Sequence, residues 1–399
     1  MLIAPDSFGT TMTADQAARA IADGWAGRAP GDELVLRPLS DGGPGFVDVL
    51  HAALGGTLHL VSVTGPLGEP VDVQWLEHNG TGYVESAQAC GLALVPDDRL
   101  RPGEATTRGV GELLVDVRAK GLRRAVVGLG GSATTDGGAG MLAALGMVPV
   151  DAGGAPLPDG GLALATVAGL LGPAPTAGPG PGPVAAAGSG PVAPRPVAPR
   201  AEQGGAWTEL ELVAATDVDS PLLGEHGAAA VFGPQKGADP ATVAALDAAL
   251  ARWADVLAAS TGCDLRDHPG AGAAGGLGAA LFAIGAVREP GAAMVRRLTG
   301  LDTALDAAQL VVTGEGSFDW QSLRGKVVTT VAGGAVERGL PCVVLAGQVA
   351  VGRREAAAIG VDAAYSVAEH AGSADASFAD PLGTLAALAG HVAGQWGRR

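Results

Sequence analysis

Short apolar runs alternate with alanine-rich stretches of helical period along most of the chain. The apolar runs predict strands at Leu2–Pro5, Glu33–Pro38, Leu58–Val63, Val71–Leu76, Gly82–Ser86, Ala125–Leu129, Leu210–Ala215, Leu310–Thr313 and Cys342–Ala346. The periodic stretches predict helices at Ala14–Ala26, Gly45–Ala53, Val110–Lys120, Ala139–Gly146, Pro240–Ser260, Ala274–Gly285, Leu301–Ala308, Val327–Arg338 and Pro381–Trp396. Alternation of this kind is the mark of α/β layering, with helices covering the faces of a mainly parallel sheet. One stretch departs from it. Residues 172–205 are rich in Pro, Gly and Ala, with a near-repeat VAPRP then VAPR. They lack the large apolar side chains that offset ordering entropy, so a flexible surface insertion is expected.

The sharpest local pattern is AVVGLGGSATTDGGAGMLAAL at 125–145, an apolar strand running into a glycine-rich loop and then a helix. Glycines let successive N–H groups converge on one point, and a helix N-terminus adds partial positive charge. Ser132, Thr134, Thr135 and Asp136 are side chains suited to phosphate oxygens or a hydrated cation. Taken alone, the loop fits a phosphate cradle and a tight strand–helix turn equally well. Gly128-x-Gly130-x-x-Ala133 also fits a relaxed dinucleotide pattern, a weak match by itself. There is no GxxxxGK[ST] and no GxSxG, so P-loop and serine-hydrolase chemistry are disfavoured.

Several strands end in an acidic residue beside glycine. Asp6-Ser7 follows the first strand and Ser40-Asp41-Gly42-Gly43 the second; Thr216-Asp217-Val218-Asp219 and Gly314-Glu315-Gly316 close two later ones, with Asp319 and Lys326 just beyond the last. Ligands of open α/β sheets sit past the carboxyl ends of strands, so these residues are expected to share a cleft. Each taken singly also fits a helix N-cap. Asp217 and Asp219, two apart, would lie on one side of an extended segment, where paired carboxylates can hold Mg²⁺ or divide base and metal roles. An Asx-type turn before Pro221 fits as well. Lys236, on the tight turn FGPQKG, suits phosphate neutralisation, although turns also expose lysines without function.

Composition narrows the partners. Of 399 residues, 25 are Lys or Arg and 41 Asp or Glu, a net charge of −16, which argues against nucleic acid or an anionic membrane. That length allows two or three domains. Three scattered cysteines and dispersed histidines suggest neither a disulfide framework nor a zinc site. MLIAPDSF lacks a basic region and a long apolar core, and the uncharged part of Pro269–Val287 is broken by glycines. Neither a signal peptide nor a membrane span is therefore expected, and the protein reads as cytoplasmic.

Taken in order, the motifs resemble the type I glycerate kinase family: IAPDSF (3–8), SDGGPG (40–45), VTGPLGEPV (63–71), VGLGGSATTDGGAGM (127–141), ATDVDSPLLG (215–224), AAVFGPQKGA (229–238), PGAGAAGGLGAAL (269–281) and VVTGEGSFDWQSLRGK (311–326). The resemblance implies two α/β domains. Residues 1–66 and 290–399 would form a discontinuous Rossmann- or flavodoxin-like domain, with 67–289 inserted as the second and the active-site cleft between them. It also implies transfer of the γ-phosphoryl of ATP to a hydroxyl of D-glycerate with Mg²⁺, a phosphotransfer to an alcohol acceptor. On this reading Gly130, Gly131, Ser132, Thr135, Asp136, Gly137 and Gly138 cradle the phosphates. Asp217 or Asp219 holds Mg²⁺ or takes the hydroxyl proton, and Lys236 stabilises the transferring group. Asp6, Ser7, Asp41, Gly42, Glu315, Asp319 and Lys326 line the substrate side.

The chain departs from the family pattern at four strand-end positions. Gly9 stands where the family has lysine, Pro44 where it has glutamate, Ser317 where it has arginine and Trp320 where it has glycine. All fall in motifs of the first domain. Two further readings follow, namely a kinase of the same family acting on another small hydroxy-acid, or a catalytically impaired paralogue that binds metabolite.

Overall fold

The computed structural model describes residues 1–9, 11–172, 210–324 and 326–397. The expected insertion at 172–205 lies, but for Gly172, outside the described residues. Thirteen strands are found among them. Those of the first half are β1 (Leu2–Ile3), β2 (Val35–Leu36), β3 (Thr57–Thr64), β4 (Pro70–His78), β5 (Thr81–Glu85), β6 (Arg124–Gly128), β7 (Val148–Val150) and β8 (Gly169–Leu171). After them come β9 (Glu211–Ala215), β10 (Val287–Glu289), β11 (Val311–Phe318), β12 (Cys342–Val349) and β13 (Ala363–Ser366).

Two α/β units result. A five-stranded sheet, ordered β13-β12-β11-β1-β2, is parallel throughout. A six-stranded sheet, ordered β10-β9-β6-β5-β4-β3, is parallel from β10 to β5 and antiparallel through β4 and β3. The chain starts in the smaller sheet, leaves it after β2 and returns at β11. Strand β3 pairs along its whole length with β4, so it belongs to the six-stranded sheet although the sequence grouped it with residues 1–66. All nine expected strands form. The unforeseen ones are short, three or four residues each, too brief to show a period.

Parallel strands buried on both faces read as continuous apolar runs. Val311, Val312, Val343, Val344 and Leu345 are wholly buried, as are Ala125, Val127 and Ala214. Helices Ala14–Arg28 and Pro381–Trp396 cover one face of the five-stranded sheet around the buried Trp25. Helices Arg108–Ala119, Ala139–Ala144 and Pro240–Thr261 cover the outer face of the six-stranded sheet around Trp75 and Trp253. Between the sheets lies a shared core. There Phe46, Val47 and Leu50 of the Phe46–Leu54 helix meet Met294 and Val295 and side chains of both sheets. That sandwich fixes the strand ends of one unit against those of the other. No helix among the described residues is long and apolar enough to cross a membrane.

Candidate active site

The carboxyl ends of β1, β2 and β11 meet those of β6 and β9 at one seam. Its closest approach is between loops. Gly42 has a φ of 100°, and a Cβ there would lie 2.7 Å from Ala215 O. A Cβ on Gly130 would lie 2.6 Å from Gly43 Cα. The Asp41–Gly45 loop therefore runs backbone to backbone along the start of the 129–138 loop, which only glycine permits.

On the five-stranded side, Asp6 follows β1, its Oδ1 accepting from Ser7 N–H at 2.7 Å. Ser7 is half-buried beside it. Desolvation, then the charges of Asp41 and Glu315, push the Asp6 carboxyl well above its usual range, while Lys326 works the other way. Glu315 is buried in β11; desolvation raises it to about 7, with Asp319 and Asp41 adding to the shift and Ser322 and Lys326 opposing it. Its Oε1 is buried without a hydrogen-bond partner among the described residues. Asp41 Oδ1 accepts from Gly43 N–H at 3.0 Å. Asp319 turns its carboxylate to its own loop, taking Gln321 N–H at 2.8 Å and Ser317 Oγ at 3.3 Å. Of the four departures from the family pattern, Pro44 lies against the position of a Gly131 Cβ and Trp320 is exposed.

On the six-stranded side, Asp136 is wholly buried and its carboxylate accepts from Thr107 N–H and Oγ1, both at 2.8 Å, from Gly138 N–H at 3.1 Å and from Gly140 N–H at 3.2 Å. Gly137 N–H goes to Gly275 O at 3.0 Å. The helix N-terminus expected to cradle phosphate thus has its donors at Gly137, Gly138 and Gly140 committed within the protein. The N–H groups of Gly130 and Gly131, on the accessible front of the loop, have no acceptor among the described residues. Thr135 Oγ1 is buried without a hydrogen-bond partner among the described residues. Lys236 is buried beneath the loop, its Nζ donating to Ser132 Oγ at 3.0 Å and Thr134 O at 2.6 Å. Burial pulls the ammonium down to about 8, against the pull of Cys90 and Asp136.

Asp217 and Asp219 take different partners, although the charge of Asp219 still adds to the rise of the Asp217 carboxyl. Thr216 Oγ1 accepts Val218 N–H at 3.2 Å, a turn that ends the extended run on which the pairing depended. Asp217 is half-buried, its Oδ2 accepting from Ala292 N–H at 2.8 Å at the start of helix Gly291–Leu298. Desolvation and the charge of Asp41 raise it to about 7, against the opposing Ala292 bond and Arg288. Asp219 is exposed and paired with Arg288 at 2.5 Å. No trio of His, Cys, Asp or Glu among the described residues is placed to hold a metal ion.

Sequence reading missed two groups. Arg288, on β10, is the cation beside Asp217. Glu85 ends β5 and is buried at the seam, raised to about 7 chiefly by desolvation. Neither stands in a glycine-rich strand-end motif, so neither carried a local signal.

Carboxylates on one wall, a glycine loop over a buried lysine on the other, and two α/β units between them define an enzyme for a small polar molecule. The Glycerate kinase family model matches residues 1–171 and 201–397. A glycerate 2-kinase of Escherichia coli is 37% identical over 95% of this chain and 93% of its own length. A glycerate kinase of Halalkalibacterium halodurans is 38% identical over 92% and 90%. A solved structure from Salmonella typhimurium LT2, provisionally assigned as glycerate kinase 2, superposes with a TM-score of 0.71 at 34% identity, covering 99% of this chain and 97% of that one. The chain belongs to the glycerate kinase family, and so to the phosphotransferases.

Proposed function

We propose that the protein transfers the γ-phosphoryl group of ATP to a hydroxyl of D-glycerate. The observation that carries this reading is the match to glycerate kinases over nine-tenths or more of both chains, with a family model whose matched residues include every strand-end motif at the seam. Phosphoryl transfer needs positioning and charge neutralisation more than covalent chemistry, and the seam is built for both. The free N–H groups of Gly130 and Gly131, with Ser132, take phosphate oxygens. Lys236 fixes that loop from below and lends it positive charge. Asp136 acts at one remove, holding the loop in shape.

Across the seam, the orphaned Oε1 of Glu315 accepts from a substrate hydroxyl and Lys326 balances the substrate carboxylate. Asp217, raised to about 7, is matched to accepting the hydroxyl proton near neutral pH. Asp219 has no place in the step, because its carboxylate is exposed and committed to Arg288. The donor set also fits Mg²⁺: Asp6 and Asp41 are hard oxygen donors that repel one another, and Mg²⁺ needs only one or two carboxylates besides water and phosphate oxygens. Bound there, it would supply charge neutralisation for the transferring group. The same reading divides the chain into a discontinuous first domain and an inserted second one, with β3 on the second. An ADP-release assay with Mg-ATP and a panel of hydroxy-acids tests it. Turnover on D-glycerate is expected, and turnover on another acid alone would transfer the reading to that acceptor.

A further inference from the structure

Glu85 takes no part in the reaction proposed above, yet it is buried and both its carboxylate oxygens are bonded to a distant part of the chain. Oε1 accepts from Gly45 N–H at 3.1 Å and Oε2 from Val47 N–H at 3.2 Å; Gln88 Nε2 donates to Oε2 at 3.4 Å. Gly45 and Val47 belong to the first turn of the Phe46–Leu54 helix, which receives no cap from the side chain of its own N-cap residue. The cap comes instead from the end of β5 in the six-stranded sheet. The next residue, Ser86, donates its Oγ to Gly128 O at 2.8 Å, where the glycine loop departs from β6.

Two adjacent residues thus grip both loops of the seam. Glu85 holds the loop that carries Asp41, and Ser86 holds the root of the loop that carries Gly130 and Gly131. Where the two loops touch, the backbones are too close for a Cβ, so a small shift of one moves it out of register with the other. Hydrogen bonds to an ionised acceptor are about twice as strong as neutral ones, so the clamp is tightest above about pH 7, where Glu85 is ionised.

We infer that Glu85 is a positioning residue for phosphoryl transfer, holding the Asp41 loop against the glycine loop without touching either substrate. This rests on the kinase reading and adds to it a residue outside the glycine-rich strand-end motifs. Glu85→Gln keeps the volume but offers one acceptor to two donors and turns an NH₂ group toward one of them. The loop is released on one side while the packing stays.

Hydrogen exchange and ADP release, both on the full chain, test the inference. In the wild type, amides of residues 42–50 are expected to be protected; in Glu85→Gln they should exchange at least about tenfold faster, with the thermal midpoint little changed. Misplacement by about an ångström costs up to about 100-fold in rate, so kcat should fall about 10- to 100-fold, and more than KM for either substrate changes. Glu85→Asp, which keeps the charge, should recover part of kcat.

Unprotected amides at 42–50 in the wild type overturn the inference, and that measurement decides even if the variant fails to fold. Wild-type exchange or wild-type kcat in Glu85→Gln also overturns it. Should the wild type turn over no glycerate while the exchange difference holds, the kinase reading fails and the clamp survives.

Discussion

Asp217 and Asp219 look alike in the sequence and differ in the fold, and their variants should differ too. Asp217→Asn is expected to lower kcat by at least about 100-fold, within the range for a lost proton acceptor, with little loss of stability. Asp219→Asn removes an exposed pair with Arg288, worth about 1 kcal/mol or less, and should change kcat by no more than about threefold. ADP release measures both. The raised carboxyls also set a pH dependence. Glu85, Asp217 and Glu315 titrate near 7 in the folded chain against about 4 when unfolded, so between those values the folded state binds more protons. Their contribution to stability is therefore full below about pH 4 and falls as pH rises toward 7. Lys236, pulled down to about 8, has the opposite slope above that pH. Carboxyls held low, such as Asp302 beside Arg296, weaken the fold in acid. Thermal melts should peak near pH 5 and decline toward pH 7.5. A midpoint that rises steadily from 5 to 7.5 would show that these groups are not desolvated. At this scale the sequence showed the strand-end carboxylates that stand beside glycines, but not Glu85 and not which of them are free. Residue spacing is silent on a turn closed by Thr216 or on a carboxylate such as Asp136 that accepts four bonds.

The glycine loop shows the element scale. Its strand, loop and helix were legible because an apolar run, a glycine cluster and an alanine-rich period each carry a local signal. Which of its donors are free was only half legible. The donors at the helix start serve Asp136 and Gly275, whereas those at Gly130 and Gly131 remain available, a distinction that only the packed loop makes. Asp136→Asn should cost about 2 kcal/mol, since a buried acceptor of several donors becomes partly a donor itself, and urea melts should show it. Gly130→Ala brings a Cβ within 2.6 Å of Gly43 Cα. Overpacking of that kind costs about 1–3 kcal/mol, and here it also pushes the Asp41 loop away, so both the urea midpoint and kcat should fall. Glu85 was illegible for the converse reason. Its partners lie about forty residues upstream, and only the pairing of the two units brings them to it.

For the whole molecule, the alternation of apolar runs and helical periods was enough to give α/β layering, because buried parallel strands announce themselves as continuous apolar segments; the division into two units came only from the family resemblance. Assigning β3 was harder. An antiparallel strand on the edge of a sheet looks the same whichever sheet it joins, and its partner β4 decides. A site built from both units should couple ligand binding to global stability. At 100 times their dissociation constants, Mg-ATP or D-glycerate should each raise the unfolding free energy by about 2.7 kcal/mol, read as a higher thermal midpoint. A ligand that leaves the midpoint unmoved at that excess does not bind the folded chain.

The place of β1 has a consequence for how the protein is made. Thr313 Oγ1 donates to Ala4 O across 309 residues, and β1 lies between β2 and β11, one strand in from the edge of its sheet. On the ribosome, the six-stranded sheet has all its strands once β10 has emerged, while β1, paired with β2 on one side, still waits for β11 on the other. Asp6 and Asp41 ride on that waiting strip. The wholly buried Leu2 and Ile3 therefore lack their β11 partners until Val311 and Val312 have emerged, and the strand ends that carry Asp6 and Glu315 come together only then.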